Sequence, residues 1–261
     1  MKRKFIVGVM LGMFLIGCGD GVDRYETKEN KTKIVVTPYN DKNQIHGTYK
    51  EYKKYSNGKS LIREAEFKNG KFDGYVRHFD HKVTTLEEFY VNGKLQGERK
   101  VFNNDGTKYK LSYYENGKKN GKEIEWYDNG NIKEESNYKN GILNGKYKEY
   151  LENGQLMKVG SYSDGKEVGI WKHYNKNGVL AFEGEYFIGQ NGHSKNKGAH
   201  KRYDENGRLN TEYVYNENGK FMYRKYYENG NLREYSEPYG NKDCVIYYNE
   251  NGEEEYRRDC Q

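Results

Sequence analysis

At 261 residues the chain has room for one or two ordinary domains, yet only 34% of it is hydrophobic, and 28 Tyr and 31 Gly stand against 2 Pro. Leu, Ile, Val and Phe are too scarce for a deep core, whereas Tyr buries its ring and keeps its hydroxyl wet, as a thin sheet requires. The formal charge of +6 falls to +3 once Lys2, Arg3 and Lys4 are set aside with residues 1–17, and both signs are interleaved, which describes a solvated strand face and excludes a nucleic-acid footprint.

Residues 1–17 read as a secretory signal: a basic start, then an apolar run from Phe5 to Ile16 too short to span a membrane comfortably. The run ends in Leu15-Ile16-Gly17-Cys18, which resembles the lipobox of bacterial lipoproteins. That resemblance implies cleavage before Cys18, a diacylglycerol anchor on its sulfur, and a lipid-anchored place in the cell envelope after export. Residues 18–46 are then expected to hold the lipidated Cys, a flexible polar tether, and a short run, Ile34 to Thr37, that Pro38 confines to a sheet edge.

From Gly47 onward the chain repeats. Asn140-Gly141 follows Asn116-Gly117 by 24 residues, and Gly145 follows Gly121 by the same step. Taking Gly47 as a marker, it recurs at Gly74, Gly97, Gly121, Gly145, Gly169 and Gly198. An aromatic stands five residues after each: Tyr52, Phe79, Phe102, Trp126, Tyr150, Tyr174 and Tyr203. Two further units keep Tyr226 and Tyr248 four before an Asn-Gly but have lost the marker, giving about nine units over residues 47–261.

Asn and Gly tolerate positive φ, so Asn-Gly between short Tyr-, Ile- and Leu-bearing runs predicts tight hairpins. A three-residue loop of Glu152, Asn153 and Gly154 sets Tyr150 opposite Leu156 as a cross-strand pair. The predicted fold is all-β: an elongated single sheet of successive antiparallel hairpins. The seven periodic aromatics are its structural core rather than a sugar-stacking row. GQNGHSKNKG, between Tyr186 and Gly198, reads as a loop insertion, and the first unit is two residues long in its first loop.

The pattern of Gly, aromatic five later, Asn-Gly or Asp-Gly, then an aliphatic resembles the bacterial variant of the MORN repeat, and is similar to the YwqK family of antitoxins. The resemblance implies a non-enzymatic scaffold whose partner is a protein, for an antitoxin a toxin; a lipoprotein signal departs from a cytoplasmic antitoxin. The alternative is a structural or adhesive envelope lipoprotein that touches glycan or lipid.

No acid, base and nucleophile converge in a motif, so no enzyme, cofactor or metal site is expected. His78 and His173 fall in the slot held elsewhere by Glu125 and read as solvent-facing; His46, His81, His193 and His200 share no ligand spacing. Cys244 and Cys260 are candidates for a disulfide. A loop centred on Asn251 sets Cys244 opposite Arg258, with Cys260 one diagonal away.

Overall fold

The computed structural model describes residues 21–22, 24–216, 218–239 and 242–260. The signal segment 1–17 and Cys18 lie outside the described residues. The chain divides at Gly130 into two compact units. Unit 1 contains β1 (Arg24–Glu29), β2 (Lys33–Tyr39), β3 (Gly47–Tyr55), β4 (Gly58–Lys68), β5 (Lys71–Asp80), β6 (Val83–Val91), β7 (Lys94–Phe102), β8 (Lys108–Glu115) and β9 (Lys118–Trp126). Unit 2 contains β10 (Ile132–Lys139), β11 (Ile142–Leu143), β12 (Gly145–Tyr150), β13 (Leu156–Ser163), β14 (Lys166–Tyr174), β15 (Leu180–Ile188), β16 (Ser194–Tyr203), β17 (Leu209–Tyr215), β18 (Phe221–Tyr226), β19 (Leu232–Tyr239), β20 (Lys242–Tyr248) and β21 (Glu254–Arg258). Within each unit, consecutive strands pair antiparallel as hairpins, with β11 and β12 together forming one interrupted strand against β10. All-β architecture by successive hairpins is therefore what the turn spacing predicted.

Two turn types alternate, and each has a local cause. At one end the loops are two residues long, with both residues at positive φ: Asn69-Gly70, Asn92-Gly93, Asn116-Gly117, Asn140-Gly141 and Asp164-Gly165. This is the loop whose twist matches that of the strands, and Asn, Asp and Gly tolerate it. At the other end most loops have three residues, although His81-Lys82, both at positive φ, makes a two-residue turn there, and the β15–β16 and β17–β18 turns at the first end have three. In Glu152-Asn153-Gly154, Gly154 (φ 84°) donates its N–H to Leu151 O, and Tyr150 pairs with Leu156 in the predicted register.

The marker glycine has its own reason. It sits in a bulge on the strand leaving the tight turn. Ala65 faces Val76 and Phe67 faces Phe72, so Asp73, Gly74 and Tyr75 oppose Glu66 alone, with Gly74 at φ 120°. Glu66 accepts a hydrogen bond from the Tyr75 N–H that the bulge frees. The two repeats that have lost their marker have lost the bulge too, for β17 with β18 and β19 with β20 pair in unbroken register.

Side chains from one three-residue loop reach the next and tie neighbouring hairpins: Asn131 to Glu152 O, Gln155 to Asn175 O, Arg208 to Glu228 O and Asn231 to Glu250 O.

Four expectations need correction. Residues Arg24–Glu29, expected within the flexible tether, form β1. As a result Ile34 to Thr37 is not at an edge, because β2 lies between β1 and β3. Pro38 is tolerated because β3 pairs only with Lys33–Val36 and never requires its missing N–H. GQNGHSKNKG is not a loop insertion. It lengthens a hairpin, with Phe187 opposite Lys195 and Ile188 opposite Ser194 before a turn at Gly189–Gly192. The two extra residues of the first unit likewise extend the β3–β4 ladder to a Tyr55–Gly58 pair.

Candidate interaction surface

Strand alternation sends the marker glycine and the residues two and four after it to one face. The slot two residues after the marker is buried outright in four of the seven repeats. Val76 is 2% exposed, Trp171 1%, Glu123 5% and His200 5%. A small residue accompanies the slot on the neighbouring strand: Ala65 beside Val76, Ser112 beside Glu123, Gly160 beside Tyr147, and Gly184 beside Trp171. Trp171 also lies across Gly160, where an added Cβ would come within 2.1 Å of its Cδ2. Gly160 has an ordinary strand φ, so close approach of the indole, not backbone freedom, demands glycine there.

The predicted core aromatics lie elsewhere. Tyr52, Phe79, Phe102, Trp126, Tyr150, Tyr174 and Tyr203 are half-buried. They stand at the three-residue-loop end, most of them against an aliphatic: Tyr52–Leu61, Tyr150–Leu156, Tyr174–Leu180 and Tyr203–Leu209. In four of the seven repeats the residue three earlier is buried outright. The composition of that slot hid it, because Tyr, Val, Arg, Glu, Tyr, Trp and His occupy it in turn, and no one chemistry recurs there.

In unit 2 the slot builds an aromatic surface. Trp171 is flanked by Tyr162 at 5.0 Å (76°) and Tyr147 at 5.8 Å (38°), with the Lys158 ammonium over its ring at 4.4 Å. Burial first, then Glu134 and Glu149, drives the Tyr147 phenol well above its ordinary value. His200 is enclosed by Tyr215 at 4.9 Å, Tyr186 at 5.1 Å and Phe182 at 5.8 Å, and its Nε2 lies 2.8 Å from Glu185 O.

Between these clusters lies a groove of about 430 Å³ lined by His173, Ala181, Phe182, Tyr186 and Arg202. His173, read from sequence as solvent-facing, is half-buried against Phe182 at 5.2 Å, and burial together with Lys158 holds its imidazole below its ordinary value. His78 is also half-buried, with its value lowered by burial and then by Arg63. Arg202 is exposed and has no acidic partner among the described residues. A second hollow, of about 230 Å³ at Asp204, Arg208 and Glu228, is already neutralised: Arg208 bonds Asp204 at 2.7 Å and Glu228 at 3.3 Å.

Cys244 and Cys260 are joined, with Cα atoms 4.5 Å apart. The register differs by one from the sequence reading, since Val245 rather than Cys244 opposes Arg258. A bulge after Tyr247 shifts the ladder, and Asp259 (φ 58°) turns the chain end back so that Cys260 reaches Cys244.

No curated protein matches the chain. Four stretches, 119–140, 143–164, 167–187 and 222–241, match the MORN repeat variant, a repeat that serves as a protein- and membrane-binding scaffold.

Proposed function

We propose that the chain is a non-enzymatic scaffold that binds a protein partner through the aromatic face of unit 2, and that an anchor on Cys18 holds it in the bacterial cell envelope. The observation that carries this is the groove of His173, Phe182, Tyr186 and Arg202: half-buried rings and one unneutralised guanidinium on the surface of an array matched by the MORN repeat variant. Proteins meet at surfaces of this composition, with aromatic anchors and Arg surrounded by polar rim. The finer reading is an immunity role like that of the YwqK antitoxins, with the chain occupying the surface of a toxin.

A pull-down with the full chain from envelope extracts, read by mass spectrometry, tests the scaffold. One protein should be retained, and exchange of Arg202 should release it; retention of glycan or lipid alone would replace this reading with the adhesive one. For the anchor, Cys18→Ala should leave an unprocessed or soluble chain that no longer partitions with membrane detergent extracts. Wild-type partitioning would remove the lipid from the proposal.

A further inference from the structure

The geometry points to the groove of His173, Phe182, Tyr186 and Arg202 as a subsite for an acidic residue flanked by an aromatic one in an extended segment of the partner. This deepens the protein-binding reading and rests on it.

Directly opposed residues form a row across unit 2: Lys158, His173, Phe182, Arg202, Thr211, Lys225. Lys158 is neutralised by Glu167 at 3.1 Å and Lys225 by Glu234 at 2.8 Å. Arg202 stands between Phe182 and Thr211, with no acid beside it in the row. Its guanidinium is therefore the cation left for an incoming carboxylate, and a planar fork receives a carboxylate with two bonds. His173, uncharged near neutral pH because burial and Lys158 hold its value down, borders the same groove without competing for the anion.

The rings favour a peptide over a sugar. Phe182 is tilted 54° to His173 and 71° to His200, and Tyr186 is tilted 71° to His200. In none of these three contacts are the rings coplanar, so each contact offers a slot between ring edges rather than a flat platform. A planar side chain can enter such a slot edge-on, and aromatic pairs prefer that arrangement.

The probe is the blocked dipeptide N-acetyl-Phe-Asp-amide, titrated into the purified full chain and followed through the His173 and His200 imidazole signals by NMR. Its Asn counterpart has the same shape without the charge. The Asp peptide should saturate with shifts at both imidazoles, and the Asn peptide should bind at least tenfold more weakly. Arg202→Gln should bring the two peptides level, while Arg233→Gln, outside the groove, should leave the preference intact. Equal binding of the two peptides to the wild-type chain, or an unchanged preference in Arg202→Gln, overturns the assignment, as does saturation by glucuronate where the Asp peptide fails. Peptide saturation alongside an empty pull-down would uphold the subsite and sink the scaffold reading. A captured partner indifferent to Arg202, with no peptide binding, would sink the subsite alone.

Discussion

The slot two residues after the marker glycine is ionic along β6–β9 of unit 1 and aromatic along β12–β16 of unit 2. In unit 1, Arg99 occupies it and bonds Glu88 at 2.8 Å; one repeat later Glu123 receives Ser112 Oγ at 2.6 Å and Lys119 Nζ at 2.5 Å. In unit 2, Tyr147, Trp171 and His200 fill the equivalent positions. The backbone is set by the same bulge in both, so the slot does not select a chemistry. What it selects is a neighbour that completes whatever stands there: a hydroxyl and an ammonium for the carboxylate, a glycine for the indole. A single-layer sheet can afford this because its interior is one side chain deep, and a Lys stem can cover a buried group while its head stays wet.

Removing the largest ring should break the comparison most visibly. Trp171→Ala takes away a side chain that is 1% exposed, and the expected cost is about 3–5 kcal/mol. Urea unfolding should record it, with hydrogen exchange accelerating through β12–β15 and β6–β9 unchanged. Gly160→Ala should cost about 1–3 kcal/mol by pressing a methyl into that indole.

For the ionic slot the expected loss is smaller. Glu123→Ala leaves Ser112 without its acceptor and Lys119 without its charge partner, and should cost about 2 kcal/mol. Glu123→Gln keeps the shape and should recover part of it. A cost for Glu123→Ala equal to that for Trp171→Ala would show that the two slots are not energetically distinct.

Acid should separate the same regions in the wild-type chain. Burial alone would raise the Glu123 carboxyl, but hydrogen bonds from Lys119 and Ser112 outweigh it and hold the group below its ordinary 4.5; Glu87 and Glu98 are held down as well. A carboxyl lowered in the folded state contributes stability that is complete above its unfolded value and is lost as pH falls through the folded one. Exchange in β6–β9 should therefore quicken below about pH 4.5 before β12–β15 responds. Alkali discriminates less well. Tyr147, Tyr162 and Tyr186 are all raised by burial, so their stabilisation is present below about pH 10 and drains away above it, but Tyr90 in unit 1 is also pushed up, to about 12.

Hairpins and the Tyr150–Leu156 register were legible because Asn-Gly answers to local backbone strain, which one residue type satisfies repeatedly. The buried slot was not legible, since burial there is satisfied by pairs and Trp171 makes sense only with Gly160 and Gly184. Nor was the groove, which needs Phe182, His173 and Arg202 brought together from three strands. Strand β1 was hidden because its residues, RYETKE, are polar on both faces, as an edge allows.

The opposite face supplies the control. There the residues three after Gly47, Gly74 and Gly97, and three after Gly169 and Gly198, join rows of direct cross-strand pairs: Lys50, Glu64, Arg77, Glu87 and Lys100 in unit 1, and Lys172, Glu183, Lys201, Glu212 and Arg224 in unit 2. Signs alternate in both rows. Arg77 bonds Glu64 at 3.1 Å and Glu87 at 2.8 Å, and Lys172 bonds Glu183 at 2.9 Å. If the two units differ only in the slot, this face should behave alike in both. Partly exposed pairs of this kind contribute about 0.2–1 kcal/mol each and are screened by salt. Lys172→Ala should thus cost a few tenths of a kcal/mol, and Arg77→Ala, which loses two partners, about 1 kcal/mol. Both losses should shrink in 1 M salt, where the Debye length falls to about 3 Å. A Lys172→Ala loss as large as that of Trp171→Ala, undiminished by salt, would place the stability of unit 2 on its charged face and undo the contrast drawn from its aromatic one.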